Sequence, residues 1–307
     1  MLGLEELDMM DAPTTLYILQ YSEEGCEATC AFCPQSRYCK AGKELVSRIP
    51  WPRVKLSEVL EALSRRRGVF RRLCVQTVLK EGFEGELLRI VKLLREADPE
   101  TPISVATTPV SRDVLGDLVE AGVERLGVGL DAASPEVFRK VGKPYSWETY
   151  LSFIGEALEV FGRGRVHIHL IFGMGESEEE FLDTMAKLYE MSAEVALFSF
   201  TPIPGTPMAN RPPPPLERYR VVQVARYLLS RGYKVSEFAE VREGKIILRD
   251  EFLRAGVERA FLTSGCPGCN RPFYNERPSK IYNYPSLRTL RRELREVMRQ
   301  LRLASQL

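Results

Sequence analysis

Six short β-rich runs alternate with helical stretches through the first two thirds of the chain, and this alternation limits the fold more than any other feature. The runs are Thr15–Tyr21, Leu73–Val78, Ile103–Thr107, Leu126–Leu130, Val166–Phe172 and Val195–Phe200. Between and after them, helical patterning covers Leu56–Arg66, Gly85–Ala97, Ser111–Ala121, Pro135–Val141, Trp147–Phe161, Ser177–Met191 and Leu216–Ser230. Pro99 and Gly122 end two of these helices, and Ser177 opens another whose first turn, Glu178-Glu179-Glu180, suits a positive helix end. Strands separated by a helix pair in parallel through crossovers. The pattern therefore predicts an α/β chain forming an open, partial (β/α)6 barrel, which gathers its ligands at the C-terminal ends of the strands. Arg211–Pro215 contains four consecutive prolines and reads as a stiff spacer. Beyond Gly232 the periodicity weakens to a short apolar run at Ile246–Leu248, a loop at Ser264–Pro285 and a final amphipathic helix, Leu287–Leu303. Two regions are expected, a barrel over 1–235 and a C-terminal extension over 236–307.

At the end of the first run stands Gly25-Cys-Glu-Ala-Thr-Cys-Ala-Phe-Cys-Pro34. Cys26, Cys30 and Cys33, spaced C-x3-C-x2-C on one loop, can hold three irons of a [4Fe–4S] cluster and leave the fourth open to a ligand. A zinc site is the alternative, though it usually shows paired C-x2-C knuckles with a fourth ligand nearby. Phe32 precedes the last cysteine. The chain has 307 residues with Lys+Arg 43 against Asp+Glu 42, a net charge of +1 that offers no polybasic surface for nucleic acid or an anionic membrane. No apolar run approaches the ~20 residues that span a bilayer, and the opening Met1–Met10 is acidic, so export is not expected. Seven cysteines in such a chain read as metal ligands or free thiols in a reducing, largely anaerobic cytoplasm.

With this motif the chain resembles the radical S-adenosylmethionine (SAM) superfamily. The resemblance implies that the open iron chelates the amino and carboxylate groups of SAM. One electron then cleaves SAM to methionine and a 5′-deoxyadenosyl radical, which abstracts hydrogen from an unactivated carbon. Leu130-Asp131-Ala132-Ala133-Ser134-Pro135-Glu136 resembles the corresponding stretch of biotin synthase and its relatives, making Asp131 an expected ribose contact; a helix N-terminal acid is the other reading. The turn Gly173-Met174-Gly175-Glu176 is similar to the strand-five turn of biotin and lipoyl synthases, and glycines there allow close backbone approach to adenine or carboxylate. The loop Pro202–Asn210 also resembles biotin synthase. The Gly-Gly-Glu turn that in the superfamily often follows strand two and receives the SAM ammonium is replaced by Cys74-Val75-Gln76-Thr77-Val78, which leaves backbone carbonyls and Gln76 or Thr77 to take its place. His167 and His169 share one face of strand five, as packed histidines or as substrate contacts.

Four cysteines remain. Cys74, inside an apolar strand, reads as a small core residue. Cys266-Pro267-Gly268-Cys269 is a C-x2-C knuckle suited to a metal. With Cys39 from the first cysteine loop it is expected to hold an auxiliary [4Fe–4S] cluster across the barrel mouth, Ser264 or Arg271 supplying the fourth ligand. A structural zinc or a redox dithiol at Cys266 and Cys269 is the alternative. Over nearly its full length the chain resembles the biotin-synthase-related proteins of archaea. The opening Tyr21…Gly25-Cys26…Phe32-Cys33-Pro34-Gln35 and the closing Ser-Gly-Cys-Pro-Gly-Cys-Asn-Arg-Pro-Phe-Tyr-Asn-Glu-Arg-Pro at Ser264–Pro278 carry that resemblance. That group includes a two-component lipoyl synthase. The resemblance implies sulfur insertion at C6 or C8 of an octanoyl chain on a lipoyl carrier protein or domain. It also implies sulfur donation by the auxiliary cluster, a sister radical SAM subunit and a low-potential donor such as ferredoxin. Tyr274, Asn275, Arg277, Tyr282 and Tyr284 are candidate carrier or substrate contacts. Biotin-type sulfur insertion, methylthiolation and a non-catalytic iron–sulfur partner are the other readings.

Overall fold

Parallel pairing runs unbroken across the computed structural model, which describes residues 1–4, 10–253 and 256–305. The main sheet contains β1 (Thr15–Leu19), β2 (Arg72–Gln76), β3 (Ile103–Thr107), β4 (Val123–Asp131), β5 (Val166–Phe172) and β6 (Glu194–Ser199), in that spatial order. All five pairings are parallel. The helices α1 (Leu56–Arg65), α2 (Phe83–Ala97), α3 (Arg112–Glu120), α4 (Pro135–Val141), α5 (Trp147–Phe161), α6 (Glu178–Glu190) and α7 (Leu216–Ser230) follow the strands. The expected partial (β/α)6 barrel is the fold observed.

Local chemistry sets the helix starts. Ser111, Ser134, Ser146 and Ser177 each accept a backbone N–H in the first turn, and Ser177 forms a reciprocal capping box with Glu180. One strand exceeds its expected span: β4 begins at Val123 rather than Leu126. Its polar start is supported by contacts the sequence does not display, since Glu124 accepts from Arg72 at 2.8 Å and Arg125 donates to Gly164 O at 2.6 Å.

Strand alternation sorts the residues. Leu73, Val75, Ile103, Val105, Leu126, Val128, Ile168 and Leu170 point outward and are fully buried under the helices. Tyr17, Cys74, Gln76, Ser104, Ala106, His167, His169 and Phe198 point inward and line a cavity. Tyr17, Cys74 and Ser104 are successive register partners across β1, β2 and β3, and so form one rung of the inner face.

Among the described residues β1 and β6 do not pair, and the C-terminal segment lies across the gap between them. Ser264 accepts from Leu197 N on β6 at 2.8 Å, while Thr14 donates from its backbone to Asn270 Oδ1 at 2.9 Å beside β1. This segment is reached through α8 (Val235–Phe238) and an antiparallel hairpin, β7 (Ala239–Arg242) with β8 (Lys245–Leu248). It ends in α9 (Leu287–Ser305), which packs on α7. Between these two helices Arg220, at 0% exposure, donates to the carbonyls of Ile281 and Tyr282 at 2.6 and 2.5 Å.

Candidate active site

The cysteine loop after β1 is a tied knot. Cys26 N donates to Gln35 O at 2.6 Å, Cys33 N to Cys30 O at 3.0 Å, and Ala31 N to Val141 O at 2.8 Å. Gln35 Nε2 holds the carbonyls of Lys43 and Leu45, each at 2.7 Å. Gly25 makes the entry turn at φ +81°, where a Cβ would stand 2.6 Å from Gln35 O. Cys26, Cys30 and Cys33 line the cavity together with Phe32. Burial raises the Cys30 thiol and pushes Cys33 up to about 12, with Cys30 adding to the effect. Buried thiols of this kind become thiolates when a cationic metal group compensates them.

Opposite the loop, Asp131 sits at φ +66° beside an irregularity in the β4–β5 register. Its carboxylate is not free: Lys143 Nζ lies 2.6 Å from Oδ2, with side-chain exposures of 7% for Lys143 and 14% for Asp131. Burial works against the Lys143 charge, yet Asp131 and then Cys30 hold the ammonium well above its usual value. Lys143 escaped the sequence reading because a lone lysine between Gly142 and Pro144 carries no motif. Gln76 and Thr77 line the same region, Thr77 Oγ1 bonding Thr107 Oγ1 at 3.1 Å. The Gly173–Glu176 turn is placed differently from expectation, since none of its four residues is among those lining the cavity. Glu176 folds back to accept from Gly173 N at 2.6 Å and Met174 N at 3.1 Å. Gly173, at φ +104°, packs so closely on Pro214 that a Cβ would meet its ring at 2.8 Å. Ile171, just before the turn, is the residue that reaches the cavity.

A second group of thiols lines the cavity nearer the N-terminal ends of the strands. It consists of Cys74, Cys266 and Cys269. Tyr17 Oη stands 3.3 Å from Cys269 Sγ and accepts from Arg271 N at 3.0 Å. Cys39 does not join this group, contrary to expectation. Its Sγ donates to Gly205 O at 3.2 Å and accepts from Ala41 N at 3.3 Å, pinning the loop after β6 to the cysteine loop. Cys74 takes that place because its strand position faces inward, so it is a cavity residue and not simply core. Ser264, the expected fourth ligand, is not among the residues lining the cavity, and its hydroxyl accepts from Leu197 N at 2.8 Å. The hydroxyl next to Cys74 belongs to Ser104. Arg271 does line the cavity, its guanidinium 3.9 Å above the Phe198 ring.

The family model of the radical SAM superfamily matches residues 23–188. The chain belongs to the radical SAM superfamily. Curated relatives include the biotin synthase of Aquifex aeolicus, 29% identical over 206 residues, with 64% of this chain and 58% of that protein covered. The biotin synthase of Cenarchaeum symbiosum is 27% identical over 253 residues, covering 79% of this chain and 74% of the relative. The chain spans 66% of the length of the Synechococcus relative and 60% of that from Leptothrix cholodnii. Among solved structures, methylornithine synthase superposes with a TM-score of 0.55 at 16% identity, covering 70% of this chain and 62% of that one. The hydrogenase maturase HydG of Carboxydothermus hydrogenoformans gives 0.51 at 15% identity, over 95% and 77% of the two chains. These two likenesses concern the fold alone.

A radical SAM protein needs a thiolate set for one cluster, and Cys26, Cys30 and Cys33 fit that group: they are soft donors gathered on one tied loop, half-buried except for Cys30, which is buried and feels the Lys143 ammonium. The second group fits an anionic metal–sulfur occupant as well. Burial raises Cys74 and Cys266, and each also feels its thiol neighbours. Arg72 and Arg271 line this end of the cavity, and Arg72 Nη1 and His167 Nδ1 are buried there without a hydrogen-bond partner. Among the described residues no three Cys, His, Asp or Glu side chains converge as donors to a single ion. Donors to separate irons of a cluster need not converge so closely. Between the two sets stands Tyr274, its phenol raised by burial and by Cys33 on one side and Cys74 on the other. Its ring meets Trp51 edge-on at 5.8 Å. Asn275 joins it in the lining, whereas Tyr282 donates to Pro214 O, Tyr284 donates to Glu293 and Arg277 is exposed. His167 and His169 are both cavity residues, lowered by burial to about 3 and about 4, and are therefore neutral near pH 7.

Proposed function

We propose that this protein is a radical SAM sulfur-insertion enzyme, one component of a two-protein lipoyl synthase. It adds sulfur at C6 or C8 of an octanoyl chain borne on a lysine of a lipoyl carrier protein. A sister radical SAM subunit and a low-potential donor such as ferredoxin complete the system. The observation that carries the reading is the sharing of one cavity by two separate thiol triads. A [4Fe–4S] cluster with SAM supplies hydrogen abstraction from unactivated carbon, and an auxiliary cluster supplies the sulfur.

The chain's own residues do the positioning. Cys26, Cys30 and Cys33 hold the SAM-binding cluster, and Cys74, Cys266 and Cys269 hold the auxiliary one. Lys143 and Asp131 present a cation and a carboxylate side by side, complementary to the carboxylate and ribose hydroxyls of SAM. Gln76 and Thr77 offer polar atoms to its ammonium. Between the triads the inner faces of Leu19, Ala106, Ile171, Ala196 and Phe198 give an apolar passage suited to an alkyl chain. The neutral histidines avoid placing a buried charge against it.

The test is anaerobic reconstitution followed by reaction with SAM, a low-potential reductant and an octanoyl-lysine carrier, with and without the sister subunit. Mass spectrometry should detect thiolated octanoyl product together with 5′-deoxyadenosine. Similarity to biotin synthases favours a second reading, sulfur insertion into dethiobiotin. Turnover of dethiobiotin with an untouched octanoyl carrier would decide for it.

A further inference from the structure

We infer that Arg72 is a positioning residue for the auxiliary cluster, donating from Nη1 to a sulfur of that group while its Nε holds the loop carrying two of the ligands. The inference rests on the reading that Cys74, Cys266 and Cys269 hold a cluster, and goes beyond it by assigning a residue that belongs to no motif.

Arg72 is 3% exposed and opens β2, two residues before Cys74 on the same inward face. Two of its three nitrogens are committed. Nε donates to Pro267 O at 2.9 Å, within the knuckle between Cys266 and Cys269, and Nη2 donates to Glu124 Oε2 at 2.8 Å. Nη1 is buried with no acceptor. A buried donor left without an acceptor is unfavourable, the more so when the group is charged. A folded chain therefore places such a donor where an occupant will meet it. The surroundings identify the occupant's chemistry: the guanidinium is gripped by the backbone between two of the thiols and stands on the same strand face as the third. Sulfur, as thiolate or sulfide, is the acceptor that this corner is built to receive. Hydrogen bonds to cluster sulfurs and nearby positive charge raise the reduction potential, so Arg72 sets how readily the auxiliary cluster accepts an electron.

The experiment isolates the second site in a Cys26/Cys30/Cys33→Ala chain, reconstituted anaerobically with iron and sulfide. Iron content, Mössbauer spectra and an EPR-monitored redox titration are compared for Arg72, Arg72→Lys and Arg72→Met. Arg72→Met is expected to move the potential to more negative values and to lose iron faster to a chelator. Arg72→Lys, which keeps a charge and donors, should restore much of the potential. If Arg72→Met does not fold, Arg72→Gln keeps an N–H for Pro267 without the charge, and should still lower the potential. A fully loaded Met or Gln variant with the parent's potential overturns the role of Arg72 and leaves the cluster assignment standing. A parent that binds no iron overturns both.

Discussion

Removing the Lys143 ammonium should expose how much of this side of the cavity is held by one ion pair. In Lys143→Met the Asp131 carboxylate stays in place, 14% exposed, after losing a partner at 2.6 Å. Breaking a buried pair by deleting one member costs about 3–5 kcal/mol. Because Asp131 borders a cavity that water can enter, the lower end applies, about 3 kcal/mol. At the lower end of the usual sensitivity, roughly 2 °C per kcal/mol for a large chain, the apo-protein should melt roughly 6 °C lower. Differential scanning fluorimetry of apo Lys143→Met, Asp131→Asn and the double variant measures this. The double variant should regain most of the loss, since it leaves no uncompensated charge. The loss should also change little with added salt, because a buried pair is poorly screened. A single variant as stable as the parent, or a double variant as unstable as the single one, would refute the reasoning.

Two further outcomes separate the thiol sets. In a chain lacking the first three cysteines, Cys74→Ala should abolish reconstituted iron while Cys39→Ala leaves it unchanged, as measured by iron and sulfide analysis; the reverse pattern would return Cys39 to the ligand set. Gly25→Ala should distort the first cysteine loop, since a left-handed φ of +81° and a Cβ 2.6 Å from Gln35 O oppose it. The backbone alone costs about 1–2 kcal/mol, so SAM cleavage at limiting iron should fall by roughly tenfold, and an unaffected rate would show that the loop adapts.

The barrel was legible because its information is local. Each strand and helix carries its own period, and serine caps and glycine stops mark many of the ends. Cys26, Cys30 and Cys33 are legible for the same reason, being three donors on one loop. The second group is not local. Cys74 stands 192 positions before Cys266, and only the inward turn of β2 and the return of the C-terminal segment bring them together. Its place on the first cysteine loop favours Cys39 as their partner and the apolar run around Cys74 favours a core role, while strand alternation turns Cys74 into the cavity lining. Ser264 looked like a ligand because it adjoins the knuckle, but the free edge of β6 needs an acceptor for Leu197 N and takes its hydroxyl. Lys143 and Arg72 were invisible because a single basic residue acquires meaning only from what surrounds it. The Gly173–Glu176 turn shows the opposite case, a recognisable motif that the packing of Pro214 draws away from the cavity lining.

The strap across the open side of the barrel also imposes an order of assembly on the growing polypeptide. Tyr17 meets Cys269 across 252 positions, so at ~5–20 residues per second its partner leaves the ribosome roughly 13–50 s later. The first cysteine loop, Asp131, Lys143 and Tyr150 have all been synthesised more than a hundred residues before that. A nascent chain therefore completes its first cysteine loop while Cys74 still waits for the knuckle. A group held as proposed by Cys74, Cys266 and Cys269 can therefore be loaded only after synthesis has passed residue 269.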